Sequence, residues 1–300
     1  MPVAALPLPH FLLALAVVAV WGTNFVVIKY GLVELPPLAF AALRFFFALV
    51  PAVFLLPRPK VPWGHLAAYG VLIGAGQFGL LYIAMNGQIS PGLASLVVQV
   101  QVFFTIGLAM AATGERVRLF QVAALVLATA GIGVILAHSD RTTTPLGLVL
   151  VILAAMGWAG GNHVAKLSGR VNMLAYVVWA SLFSVPPLVA MSLVMEGWPM
   201  VRQALGEASP AAWAAVAWQS AGNTLFGYAA WGWLLARHPA ATITPMALLV
   251  PVFGMGASAL LLGEAMPVWK IAAASLVMAG LALNILWPIV AARRLPPPAA

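Results

Sequence analysis

The chain contains no cysteine in its 300 residues and few charges, with 14 Lys and Arg against only six Asp and Glu. Without cysteine there are no disulfides and no thiolate metal sites. Charged residues make up 7 % of the chain, against about 25 % in an ordinary soluble domain, too few to cover a surface facing water. The five histidines show no paired metal spacing, and no Ser-centred nucleophile turn or paired-Asp arrangement is present. Enzyme chemistry, a resident metal and a cofactor therefore have no support. The net charge of +8 is scattered over short loops and forms no dense patch. This argues against nucleic acid and for contact with anionic lipid headgroups.

What the chain has in excess is apolar: 64 % hydrophobic residues and a mean hydropathy of +1.05. Runs of about 20 apolar residues cross a bilayer, and ten are expected, at 10–29, 36–56, 64–85, 91–112, 119–136, 146–167, 173–195, 211–235, 239–262 and 267–290. The fold class expected is an all-α polytopic membrane protein. The amino-terminal residues lack a basic segment and a cleavage site, so no cleavable signal is expected. The tail 291–300 reads as a cytoplasmic extension, unstructured after Arg294.

The stretch Ser90–Leu136 recurs between His238 and Ile285. Pro91 pairs with Pro239, Gly114-Glu115 with Gly263-Glu264, and Ala130-Gly131 with Ala279-Gly280. Further pairs run in the same order: Trp21 with Trp158, Phe47 with Phe183, Pro51 with Pro187, Gly74 with Gly222 and Phe78 with Phe226. The expected organisation is thus two five-helix repeats, 10–136 and 146–290. With the amino terminus inside, inner loops carry nine Lys or Arg and outer loops four. This predicts both termini in the cytoplasm and a second repeat inverted relative to the first.

Gly74-Ala-Gly76-Gln-Phe-Gly79 spells the dinucleotide fingerprint but lies inside an apolar span. Close helix packing through small residues is the better reading. Arg44 lies inside the second span, where a charge marks a functional site by default. It reads as a structural or gating residue, capping carbonyls or snorkelling outward, or as a direct contact for a cargo carboxylate. Glu115 and Glu264 read as elbow residues that accept N–H groups at the start of the next helix. No Asp or Glu falls mid-span, which leaves no carboxylate proton relay. Pro51, Pro187 and Pro245 read as hinges, with Pro245 and Pro251 interrupting the ninth span.

Polar and aromatic residues at helical spacing remain. Trp21 and Asn24 share a face of the first span, and Trp158 and Asn162 a face of the sixth. Tyr82, His163, Asn223, Trp231 and Gln99 complete the candidate set, while Gln99 and Gln101, two apart, cannot share one helix face. Together they describe a cavity with aromatic walls and neutral donors and acceptors, suited to a small amphipathic solute.

With ten spans in inverted halves, the Ala-Ala-Leu-Arg-Phe run around Arg44 and two Gly-Glu elbows, the chain resembles the EamA-type branch of the drug/metabolite transporter superfamily. Over residues 10–290 it is most similar to YddG-type exporters of aromatic and other neutral amino acids. The resemblance implies alternating access around a central cavity lined by the first, third, fourth, sixth, eighth and ninth spans. The expected function is export of amino acids or related metabolites across a bacterial inner membrane, by a monomer. The alternatives are another EamA cargo such as a nucleoside, purine or drug, or a membrane receptor, although the seventh and tenth spans hold no buried Lys for a retinal link.

Overall fold

The computed structural model describes residues 6–113, 118–140 and 142–294, and those residues form helices joined by short loops. The helices are α1 (Leu8–Gly31), α2 (Pro37–Leu55), α3 (Trp63–Met85), α4 (Pro91–Ala112), α5 (Leu119–Ala137), α6 (Pro145–Leu167) and α7 (Met173–Met195). There follow a short α8 (Trp198–Glu207), α9 over 210–237, α10 (Thr244–Leu262) and α11 (Val268–Arg294). The chain is an all-α polytopic membrane protein.

Among the described residues, nine of these helices are long and apolar enough to cross a membrane. The eighth expected span, α9, is continuous helix but is not one of the nine. Its middle carries the buried polar residues Gln219, Ser220, Asn223 and Thr224, which face other helices rather than lipid. The sequence reading placed a loop where α8 lies. Trp198 and Met200 of this short helix are exposed and Val201 is buried, the one-sided pattern of a helix lying flat on an interface.

Proline at the first position starts α2, α4, α6 and α9, where a missing N–H costs nothing. Gly263, at φ 65°, ends the α-helical part of α10 in the left-handed conformation that glycine adopts without strain. Interhelical packing joins the first part of the chain to the second at almost every turn. The pairs α3–α6, α5–α11, α1–α10, α2–α7, α3–α7, α4–α6 and α1–α9 are the most extensive, and α4 also packs on α10. Small residues permit this closeness: a Cβ at Gly74 would sit 2.5 Å from Ser184 Cβ, and one at Gly157 2.8 Å from the Gly76 carbonyl carbon. The fingerprint-like glycines of α3 are therefore packing glycines.

Four helices depart from α geometry over part of their length. Leu72–Gly79 of α3 and Trp218–Phe226 of α9 are π-helical, on the stretches that pair Gly74 with Gly222. Val98–Val100 of α4 is a 3-10 turn, and α10 begins with another at Thr244–Leu248.

Candidate functional site

A cavity of about 540 Å³ opens within the bundle, in the size range of small-molecule sites. Its wall comes from α1, α3, α4, α6, α9 and α10, with Met173 of α7 and Leu281 and Ile285 of α11 added. Trp21, Trp158, Trp231, Tyr69, Tyr228, Phe25 and Phe78 supply the aromatic surface. Asn24, Gln77, Gln99, Gln101, Asn162 and Asn223 supply the amides, and no charged side chain lines it.

The departures from α geometry explain this clustering. Gln99 and Gln101 both reach the cavity, against the expectation from regular helix spacing. The 3-10 turn at Val98–Val100 changes the angular advance between them. The π segments similarly bring Gln77 and Phe78 on α3, and Asn223 on α9, to the wall. Trp21 donates its indole N–H to the Asn223 carbonyl at 3.2 Å and lies 5.2 Å from the Trp231 ring. Asn162 donates to Gln101 Oε1 at 3.1 Å, and Thr105 to the same oxygen at 3.0 Å. These contacts fix the rings and amides before any solute arrives.

The cavity is one-sided. It runs from Ile28 of α1, Leu81 of α3 and Val98 of α4, in the halves of those helices nearer Glu34 and Ser90, to Ala165, Met173, Leu235 and Thr244. The last four lie at the end of the bundle where α1 begins. At the opposite end sit all the described acidic side chains: Glu34, Asp140, Glu196, Glu207 and Glu264. Three of them hold that end together. Glu34 accepts from the Ser209 backbone N–H and hydroxyl, both at 2.7 Å, where α9 begins. Glu196 accepts from the N–H groups of Leu38 at 2.6 Å and Ala39 at 3.0 Å, in the first turn of α2. Glu264 accepts from the Ser90 hydroxyl at 2.5 Å and Gly92 N–H at 3.0 Å, at the start of α4. It also accepts from Ser258 and pairs at 2.8 Å with Lys270. Against the expectation of no buried lysine in the tenth span, Lys270 is buried in the first turn of α11, where this ion pair takes it up. Each carboxylate meets the orphan donors and positive dipole end of a helix distant in sequence.

These contacts place Glu34 and Glu264 below the usual carboxylate range. For Glu34 the cause is the Ser209 backbone N–H, followed by its hydroxyl. For Glu264, burial pushes the carboxyl up, and Lys270, Ser258, Ser90 and Gly92 together more than offset it.

Arg44 of α2 is 1 % exposed. It donates to Tyr82 Oη at 3.4 Å, Gln219 Oε1 at 3.2 Å and Thr224 Oγ1 at 3.2 Å. Its guanidinium lies 3.5 Å from the Phe78 ring centroid. It thus ties α2 to the π segments of α3 and α9.

The profile of the EamA-like transporter family matches residues 8–137 and again 145–286. The chain belongs to the EamA-like transporter family. Two relatives described as "Probable amino-acid metabolite efflux pump", from Salmonella typhimurium LT2 and Escherichia coli K12, are each 39 % identical over 279 residues. Both alignments cover 91 % of this chain and 93 % of the relative. A "Probable terminal-alkyne amino-acid exporter" of Streptantibioticus cattleyicolor is 26 % identical, over 89 % of this chain and 90 % of its own. A solved crystal structure shares the fold at a TM-score of 0.62 and 17 % identity, covering 95 % of this chain and 98 % of that one. EamA-like proteins are transporters and not enzymes.

Within this EamA-like chain, Trp21, Asn24, Gln99, Trp158, Asn162, Asn223 and Trp231 all line the cavity. Tyr82 does not. It lies fully buried behind the wall, donating to Gln219 Oε1 at 3.0 Å. His163 is half-buried on α6, off the cavity wall, because its neighbour Asn162 takes the inward direction. Arg44 neither snorkels nor caps carbonyls, and it too stands behind the wall. Glu264 caps α4, not the helix that follows it, because Gly263 turns the chain toward Ser90. Glu115 lies outside the described residues.

Pro51 stands at a break between Leu49 and Ala52, whereas Pro187 follows Pro186 inside an unbroken α7. Pro245 lies in the 3-10 turn that opens α10, while Pro251 sits in the first turn of its α-helical part and interrupts nothing. Sequence reasoning missed Tyr69, Gln77, Phe78 and Tyr228 as wall residues. The signal for Gln77 was an amide in mid-span, masked by the fingerprint it interrupts. Glu34 and Glu196 were missed because each works on a helix start more than 150 residues away.

Proposed function

We propose that the chain exports amino acids or related small metabolites by alternating access, from a cavity held by two inverted five-helix repeats, 10–136 and 146–290. The observation that carries this reading is the neutral, aromatic and amide-lined cavity, open toward one end of the bundle and sealed from the other by three carboxylate clamps. The relatives' descriptions as amino-acid efflux pumps and exporter support the cargo class. Amides both donate and accept, so they suit an α-ammonium and a carboxylate alike, and the indole rings suit an apolar side chain. The repeats are supported by the π segments on the paired stretches of α3 and α9, and by the reciprocal packing of α1 on α10 and α4 on α6.

The Lys and Arg distribution supports cytoplasmic termini in a bacterial inner membrane, with the open end of the cavity facing the cytoplasm. Export then requires the carboxylate end to part and the other end to close. Pro51, Pro187 and Pro245 supply backbone breaks where α2, α7 and α10 bend. One chain encloses the whole cavity, which supports a monomer as the transport unit. No carboxylate, histidine, lysine or arginine lines it, which favours facilitated export or exchange over obligatory proton coupling.

The test is flux through purified protein in liposomes against a panel of amino acids, nucleosides and purines. Saturable movement of one or more amino acids supports the reading. Movement of only nucleosides or purines, or of nothing, overturns it.

A further inference from the structure

The cavity wall is neutral, yet one unpaired cation stands directly behind it. Arg44 has three hydrogen-bond partners, and all of them are neutral oxygens, of Tyr82, Gln219 and Thr224. The single ion pair among the described residues is Lys270 with Glu264, at the end of the bundle. Two donors in the arginine cluster, Arg44 Nε and Gln219 Nε2, are buried without any acceptor. The cluster is therefore short of negative charge and of acceptors. Neutral dipoles and an aromatic face solvate a guanidinium but do not cancel its field. The helix does not require this charge to pack, since the sequence pairing sets Ala180 at the matching place on α7.

The guanidinium stacks 3.5 Å from the centroid of Phe78, and Phe78 lines the cavity. A solute touching the other face of that ring lies a further ~3.5–4 Å out. A carboxylate there is roughly 7–8 Å from the arginine charge, with the ring between them. At an effective dielectric near 20, that separation is worth on the order of tenfold or more in affinity.

We propose that Arg44 is a specificity-determining residue: acting through the Phe78 ring, its uncompensated charge favours solutes that bear a carboxylate and disfavours those that bear only an ammonium group. This rests on the reading of the cavity as the transport site. The amides recognise either end of a zwitterion, and Arg44 makes the two ends unequal. Arginine suits the position because its planar group stacks on Phe78 while its edges reach two helices, which the lysine ammonium cannot do.

The probes are tryptophan and tryptamine, which differ only in the carboxylate. Binding is read by calorimetry on the purified, detergent-solubilised chain. The wild-type chain should prefer tryptophan by on the order of tenfold or more. Arg44→Lys, which keeps the charge, should keep most of that ratio. Arg44→Met should bring it close to one, by weakening tryptophan and not tryptamine. Gln219→Glu places a neutralising carboxylate beside Arg44 at nearly unchanged size, and should collapse the ratio in the same way.

An unchanged ratio in Gln219→Glu, or in a folded Arg44→Met, overturns the proposal. So does a wild-type chain that binds both probes equally. Binding of neither probe by the wild type overturns the cavity reading itself, and the proposal with it.

Discussion

The Glu264 carboxylate accepts the Gly92 backbone N–H at 3.0 Å across 172 residues of chain. Lys270, 7 % exposed, neutralises the same carboxylate. Truncating one partner of a buried pair strands the other, which costs about 3–5 kcal/mol. Glu264→Gln is expected to lower thermal stability by that order, and addition of Lys270→Met to restore most of it. Melting curves of the two variants check this. Equal stabilities would mean that the pair does not hold the α4 start.

The clamp has a second readout. The chain has no cysteine, so a single Cys at Val98, on the clamped side of the cavity, has no background. Reagent added from the carboxylate end should label it slowly in the otherwise native chain and several-fold faster with Glu264→Gln. Unchanged labelling would separate the clamp from the gate.

Acid should act on this end, and only at low pH. The carboxyls of Glu34 and Glu264 are held below their ordinary value of 4.5. A depressed folded value means that their contribution is complete above about pH 4.5 and is lost as pH falls below it. Because only the thiolate reacts, labelling at Val98→Cys is taken relative to an exposed single-Cys control at the same pH; that ratio should be flat from about pH 5.5 to 8 and rise below about 4.5. A midpoint near neutrality would assign the gate to another group.

Removing one hydrogen bond to a charged solute group costs about 1.5–3 kcal/mol. Asn24→Ala and Asn162→Ala should each weaken apparent affinity by roughly 10- to 150-fold, and Trp158→Ala should lower flux without loss of folded protein. Exposed Lys60 on the loop before α3 should tolerate Ala. Flux in liposomes decides. Wild-type rates in the amide variants would reassign those residues to packing between helices.

The glycine contacts predict a steric effect. A Cβ at Gly74 would meet Ser184 Cβ at 2.5 Å, so Gly74→Ala should destabilise by about 1–3 kcal/mol. The double change Gly74→Ala with Ser184→Gly should recover much of it. A melting temperature unmoved by Gly74→Ala would show that α7 gives way freely.

The helices were legible because lipid imposes one strong rule, about 20 apolar residues per crossing, and every expected boundary falls within a few residues, the helical turn Ala240–Ile243 that leads into α10 included. The cavity was partly legible: Trp21, Asn24, Trp158 and Asn162 sit where regular helical spacing sends them. Gln101 was misjudged and Gln77 overlooked because periodicity assumes an ideal helix, and the 3-10 and π segments shift the phase where the wall is built. Arg44 was recognisable as important from its charge, but its neutral partners were not. Gln219 and Thr224 lie some 180 residues away and only a packed structure brings them close. The carboxylate clamps were invisible for the same reason, since a helix cap from a distant loop leaves no local pattern.

The long reach of those clamps also sets an order in time. When the first hundred residues leave the ribosome, the α2 and α4 starts have no carboxylate to accept their free N–H groups. Glu196 and Glu264 are made 158 and 172 residues later, roughly 10–30 s at about 5–20 residues per second. Glu34, by contrast, is already waiting when Ser209 emerges. Until the last loop is synthesised, the α4 start must borrow its acceptors from water or lipid headgroups. The carboxylate end is therefore the last part of the bundle that synthesis can close, because its α4 clamp waits for a residue only 36 short of the end of the 300-residue sequence.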